Sequence, residues 1–332
     1  MNYLRDDFFK NKKILITGCA GFVGTHLAKK LLSLGADVTG TIYRHQPKIN
    51  LEGIKLIQTD LTVNQECQVA CKGIDYVFMC AANSSGAAVI EKEPLTHLTP
   101  NIVMNAQMLA ASYAAGVKKF IFISSNTVYP VTNYAVNEAD TNFSFFDKYH
   151  IVGWMKLFSE QMCTMYSNHI SKPMKTVVVR PGNLYGPYDK FTWKESKVIA
   201  ALIRRFAEGQ NPLEVWGNGK DIKDFLYIED FIEGLLNVSA KDDLQGPINL
   251  ASGVPATVIE VIEALKDISG ELNLQIKFDE SKPSMLPVRL IDVAYAKELI
   301  GWSPKYSLKQ GLRETYDWYK DFYSNNNPEH KK

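Results

Sequence analysis

Residues 13–24 read KILITGCAGFVG. A short apolar run stops at three evenly spaced glycines, Gly18, Gly21 and Gly24. Such a run predicts a parallel strand buried on both faces. The glycines permit a tight turn and a close backbone approach to a phosphate. The helix they open turns its free N–H groups and its positive dipole end toward that anion. Glycine spacing alone says little. Between a strand and a helix, near the start of a chain, it predicts a dinucleotide pyrophosphate site.

Working outward, the pattern repeats. Residues 24–34 form the first predicted helix, with Leu27, Leu31 and Leu34 on one face, and Gly35 ends it. Further strands are predicted at 37–42, 54–59, 76–81, 119–124 and 176–179, with helices at 64–72, 101–115 and 149–168 between them. That alternation predicts an α/β fold, a Rossmann-type doubly wound parallel sheet. After Gly182 the rhythm breaks. A helix at 197–207, then two or three helices and a short strand pair within 256–325, predict a smaller mixed substrate domain. The expected division is 1–184 plus a returning 224–255 for the dinucleotide domain, and 185–223 plus 256–330 for the substrate domain. Residues 326–332 read as a frayed tail.

Composition excludes several classes. A net charge of +1 gives no basic field for nucleic acid or an anionic membrane. No apolar run approaches a membrane span, and the acidic start MNYLRDDFFKNKK does not suit a signal peptide. Cys19, Cys67, Cys71, Cys80 and Cys163 form no CxxC pair. They predict structural thiols in a reducing cytoplasm and no metal site.

The end of the second strand bears on the choice of cofactor. An acid there would hold the ribose 2′-OH of NAD, but the chain reads Ile42, Tyr43, Arg44, His45. Arg44 suits a 2′-phosphate and also suits stacking on adenine, so NAD(H) and NADP(H) both stay open. Asp60 is either an acceptor for the adenine amino group or a turn cap.

Further motifs follow in order: CAAN at 80–83, ISSNTVYP at 123–130, GWMK at 153–156, RPGNLYGP at 180–187, DFLYIEDF at 224–231 and GWSP at 301–304. Together with the glycine loop they resemble the extended short-chain dehydrogenase/reductase family that acts on nucleotide sugars, over nearly the whole chain. The resemblance implies that Phe22, Val23, Leu61, Ala81, Ala82, Asn101, Ser124 and Pro181 join the glycines at the cofactor. It implies that Ser125 bonds the sugar oxygen and that Lys156 holds the nicotinamide ribose and lowers an acid's pKa. Asn83, Asn183, Lys223 and Arg289 fall at substrate positions, with Lys223 where Arg is more usual. The stretch 183–206, NLYGPYDKFTWKESKVIAALIRRF, and VWGNGK at 215–220 resemble GDP-L-fucose synthases. That implies a GDP-sugar site with Lys197, Arg205 and Trp216 near it. For Arg204 and Arg205 a plain solvated helix face is the other reading.

The departures narrow the chemistry. Val152 stands where the resemblance expects the catalytic Tyr, four residues before Lys156. The epimerising Cys and His of GDP-L-fucose synthases align with Thr127 and Lys197. Thr cannot titrate near neutral pH, and Lys would need a strongly lowered pKa. Epimerisation at C3 and C5 is therefore not expected. Asn126 and Thr127 replace the acidic pair of 4,6-dehydratases, so dehydration is not expected either. What remains is hydride transfer at one carbon, C4, of a GDP-manno-hexose or GDP-manno-heptose. That reading resembles the GDP-heptose 4-dehydrogenases of capsule and lipopolysaccharide synthesis. The missing acid/base has three substitutes: Tyr149, two helical turns or roughly 10 Å before Lys156; His150; or a Ser125–Thr127 relay to water, which is favoured. The cofactor in such an enzyme could stay bound and be recycled by a second substrate. The alternatives are a 4-reductase running backwards and a catalytically silent nucleotide-sugar binder. The resemblance further implies a homodimer through a four-helix bundle of helices 101–115 and 149–168. Met104, Met108, Met155, Phe158, Met162 and Met165 are available there.

Overall fold

In the computed structural model, residues 7–84, 93–193, 195–244, 246–282 and 285–326 are described. The opening strand β1 (Lys13–Thr17) has every residue after Lys13 buried, as an interior strand of a parallel sheet requires. It hands over through the glycine turn to α1 (Phe22–Ser33), which buries Leu27 and Leu31. Gly35 then adopts φ +75 and ends the helix. The sheet continues through β2 (Asp37–Ile42), β3 (Lys55–Gln58), β4 (Tyr76–Met79), β5 (Lys119–Ile123) and β6 (Lys175–Pro181). Between them lie α2 (Asn64–Ala70), α3 (Thr99–Ala114) and α4 (His150–Asn168).

β7 (Asn183–Tyr185), α5 (Val198–Ala207), β8 (Leu213–Trp216), β9 (Ile222–Tyr227) and α6 (Ile228–Ala240) follow, and then β10 (Pro247–Leu250) returns to the main sheet beside β6. The seven strands lie in the order β10-β6-β5-β4-β1-β2-β3, and every pairing is parallel. The order reverses between β1 and β4, which opens a crevice at the carboxyl ends of those strands.

The rest of the chain supplies β11 (Pro255–Thr257), α7 (Val258–Ser269), β12 (Ile276–Asp279), α8 (Ala294–Ile300) and α9 (Leu308–Asn326). One expectation fails here. No strand pair forms within 256–325; β12 instead pairs in parallel with β8, some sixty residues earlier in the chain. Single strands this short carry no sequence mark of their partner. A second small sheet, β11-β9-β7, forms the seam beside the crevice. Asp224 is fully buried in β9, and its carboxylate accepts the amides of Ser252 and Gly253 at 2.6 and 2.8 Å. The expected tail lies outside the described residues, apart from Asn326 at the end of α9.

Of the methionine stripe, Met108 and Met155 are core, and Met104 and Met162 pack partly buried against it. Phe158 and Met165 are exposed, as are Tyr113 and Trp154 on the same two helices. Among the described residues no helix is long and apolar enough to cross a membrane.

Candidate active site

The glycine turn is built by exclusion of side chains. Gly18 sits at φ +64, and a Cβ there would stand 2.8 Å from the Ala81 Cα. A Cβ on Gly24 would stand 2.3 Å from the Gly18 carbonyl oxygen. Gly21 caps α1 without any side-chain bond, so the amides of Phe22 and Val23 open the helix uncapped. The neighbouring 80–83 loop is pinned from behind. Thr17 Oγ1 accepts the amides of Cys80 and Ala81, each at 3.0 Å. Buried Asn101 accepts from the Asn83 amide at 2.8 Å and donates to the Asn83 carbonyl at 3.0 Å. Ala82 stays exposed. A cradle this bare fits a dinucleotide pyrophosphate held by backbone N–H groups.

At the far end of the crevice Leu61 is buried and Asp60 caps a turn. Asp60 Oδ1 accepts the Thr62 amide at 2.9 Å and its hydroxyl at 2.7 Å. Those bonds hold its carboxyl below the usual range, with Tyr43 and Arg44 adding to the effect. Arg44 stacks on Tyr43 with its Cζ 5.1 Å from the ring centroid, and both are exposed. Sequence reasoning singled out Arg44 but not Tyr43.

Ser125 and Thr127 meet on the turn after β5, and Lys156 on α4 reaches the carbonyl at the end of that strand. Thr127 Oγ1 donates to Ser125 Oγ at 3.0 Å, and the Thr127 amide donates to the same oxygen at 3.2 Å. Lys156 Nζ donates to the Ile123 carbonyl at 2.7 Å. Burial pulls the Lys156 ammonium down to about 8, against a partial lift from Glu160. Gly153 lets the helix press on this turn; a Cβ there would lie 2.6 Å from the Thr127 carbonyl.

The two other substitutes for the missing Tyr are placed elsewhere. Tyr149 lies before the helix, in a 3-10 turn (Asp147–Tyr149), because α4 begins at His150. The helical spacing expected between Tyr149 and Lys156 therefore does not exist. Burial pushes the Tyr149 phenol up to about 12, and its charged neighbours are Arg289 and Asp221. His150 is exposed, with its ring edge against Phe145.

Behind the hydroxyl pair lies a buried polar network that sequence reasoning missed. Glu160 Oε1 accepts Arg180 Nε at 3.0 Å, and Oε2 accepts Nη2 at 2.6 Å. Arg180 also donates to the Tyr129 hydroxyl at 3.0 Å, which donates onward to Asn249 at 2.6 Å. Ser124 gives its hydroxyl to Glu160, so only its backbone is left for a cofactor. The Pro181 carbonyl accepts the Asn126 amide at 3.0 Å. Glu160 follows Lys156 by four residues, and that spacing was a legible signal for a pair on one helix face.

On the substrate side Arg289 is buried. It donates to the Pro130 and Tyr129 carbonyls at 2.9 and 3.1 Å. Burial pulls its guanidinium down to about 10. Lys223 Nζ donates to the Leu286 carbonyl at 3.0 Å and lies 3.3 Å from Asp221, and burial lowers it too. Asn183 donates to the Asp224 carbonyl at 3.0 Å. Lys197 caps α5 and is exposed, near the buried Asp189, whose carboxyl burial raises. Trp216 is half-exposed on β8. The solvated-face reading of Arg204 and Arg205 is wrong. Both are buried, because α5 packs that face against Phe191 and β8.

One segment, 187–197, ties the two sides together. His26 on α1 bonds Glu229 at 2.7 Å through Nδ1 and the Pro187 carbonyl at 2.9 Å through Nε2. Lys48 donates to the Tyr188 and Asp189 carbonyls at 3.0 and 2.7 Å, and Lys190 to the Ser84 carbonyl at 2.7 Å.

Comparison with known proteins adds the family. Residues 14–251 match the family described as NAD dependent epimerase/dehydratase. GDP-mannose 3,5-epimerase of Arabidopsis thaliana is 28% identical over 330 residues, covering 94% of this chain and 83% of its own. The probable GDP-L-fucose synthase 1 of Oryza sativa subsp. japonica is 30% identical over 321 residues, covering 93% and 92%. Among solved structures, UDP-glucose 4-epimerase of Thermotoga maritima with UDP-glucose superposes with a TM-score of 0.85. It is 25% identical and covers 94% of this chain and 99% of its own.

Proposed function

The chain belongs to the NAD-dependent epimerase/dehydratase family, and from that premise we propose that it oxidises C4 of a GDP-sugar, a manno-configured hexose or heptose, to the 4-keto sugar. The observation that carries this reading is the Ser125–Thr127 hydroxyl pair, 3.0 Å apart just after β5, with the part-buried Lys156 bonded to the Ile123 carbonyl at the end of that strand and Val152 in place of a tyrosine. The nicotinamide cofactor, when bound over the glycine cradle, supplies a hydride acceptor; Arg44 beside Tyr43 leaves NAD and NADP both open. Ser125 orients the sugar O4. Once both hydroxyls rotate, so that Ser125 donates to Thr127 and Thr127 to water, the proton from O4 leaves through the pair, each oxygen gaining one proton and giving one up. Lys156 keeps positive charge beside the oxygen from which the proton leaves, which favours its ionised form. Arg205, Lys223 and Arg289 place cations for the diphosphate.

The relatives named for 3,5-epimerisation favour a second reading, in which C4 oxidation is transient and protons exchange at C3 and C5. Thr127 argues against it, because its hydroxyl does not titrate near neutral pH. The exposed faces of α3 and α4 fit a homodimer through a four-helix bundle. In that setting the enzyme is cytoplasmic and feeds sugar polymer synthesis.

The test is to incubate the protein and its cofactor with a panel of GDP-sugars in deuterated water. The expected result is near-ultraviolet absorbance of reduced nicotinamide with one sugar and no solvent deuterium at C3 or C5. Deuterium at those carbons without net reduction would replace this reading with the epimerase.

A further inference from the structure

Trp193 is 63% exposed, on a segment otherwise locked at both ends. Phe191, two residues earlier, is buried against Trp318 and Tyr319. The Arg204 guanidinium donates to the Phe191 carbonyl at 2.7 Å and lies over the Trp193 ring with its Cζ 3.7 Å from the centroid. Arg205 stands 5.6 Å from the same centroid. Both arginines are more than nine-tenths buried; among the described residues the Nε of each finds no hydrogen-bond partner, and that of Arg204 stands 4.0 Å from the Glu208 carboxylate. Arg205 also donates at 2.6 Å to the Glu214 carbonyl, two residues before Trp216. An indole thus lies over a cationic floor, largely in water, with Arg205, the proposed diphosphate contact, at its side.

An exposed tryptophan fixed from below has one face in use and one face free. The cation beneath draws π density away from the free face. The aromatic that stacks best on it is large and electron-rich. Among nucleobases a purine, and guanine above all, meets both conditions, whereas uracil is smaller and electron-poor. We infer that Trp193 is the nucleobase platform of this protein: the guanine ring of the sugar nucleotide stacks on its open face, and that contact selects purine over pyrimidine nucleotides. The inference rests on the reading of the substrate as a nucleoside diphosphate sugar, and it names the group that reads the base.

The experiment is calorimetric binding of GDP and of UDP to the full-length protein and to the Trp193→Phe and Trp193→Ala variants. Unfolding midpoints serve as a check that each variant folds. The unaltered protein is expected to prefer GDP. Trp193→Ala should weaken GDP by about 5–100-fold, the range for losing one stacked base, with a smaller effect on UDP. Trp193→Phe should recover most of the loss. An unchanged GDP-to-UDP ratio in Trp193→Ala overturns the platform and leaves the C4 reading untouched. Failure of either nucleotide to bind the unaltered protein overturns the platform together with the choice of substrate. Binding with the expected ratio but no hydride transfer to any sugar overturns the C4 chemistry alone.

Discussion

Arg180 and Arg289 are both about 97% buried, yet they are satisfied in opposite ways. Arg180 meets a carboxylate through two parallel bonds, from Nε and Nη2 to Glu160. Among the described residues Arg289 donates hydrogen bonds only to carbonyl oxygens, and its Nε has no hydrogen-bond partner. A buried ion pair with its lone pairs filled is finished architecture. A buried cation facing dipoles alone, among the described residues, carries a charge that still lacks its counterpart. The polar network around Arg180 is closed in this sense, and the surroundings of Arg289 leave room for an anion.

Substituting the two arginines tests the contrast most sharply. Arg180→Met strands the Glu160 carboxylate in the interior, and denaturant unfolding should show a loss of about 3–5 kcal/mol. Arg289→Met should cost less stability, about 1–3 kcal/mol, because it leaves the neutral Pro130 and Tyr129 carbonyls unpaired and strands no charge. Its further cost should fall on the ligand: GDP affinity by calorimetry drops about 10–100-fold, the worth of a hydrogen bond to a charged group. Equal destabilisation by both substitutions would break the comparison.

Lys156 sharpens it by pH. Its ammonium titrates at about 8 in the folded protein, against an ordinary 10.5. Between those values the unfolded chain binds a proton that the folded chain has released, so this group's contribution to stability rises with pH. Turnover that needs the ammonium falls over the same window. The unfolding midpoint and kcat/KM should therefore drift in opposite directions above pH 8.

The smallest effect is expected at Tyr149. Its phenol keeps company with Arg289, not with Lys156. Tyr149→Phe should lower kcat by less than about tenfold, as for the loss of one neutral hydrogen bond. Thr127→Val should cost about 10²-fold or more if the proton leaves through that hydroxyl.

What the sequence made legible follows the same division. The parallel sheet and the glycine turn both rest on local patterns, since apolar runs and glycine spacing are written in adjacent residues. The pairing of β8 with β12 was not legible, nor the burial of Arg204, nor the network from Glu160 to Asn249. Each depends on segments brought together only by the fold. Tyr149 was misplaced for a local reason: a 3-10 turn before the helix changes the angle from which the side chain leaves.

The strap at 187–197 reaches α1 through His26, the loop after β2 through Lys48 and the loop after β4 through Lys190, and it carries Trp193 a few residues on. A segment bonded to three elements around one crevice, and carrying an exposed indole, is a physical route by which one ligand bears on the binding of another. Whatever factor the dinucleotide lends to the affinity for the sugar nucleotide, the sugar nucleotide must lend back to the dinucleotide.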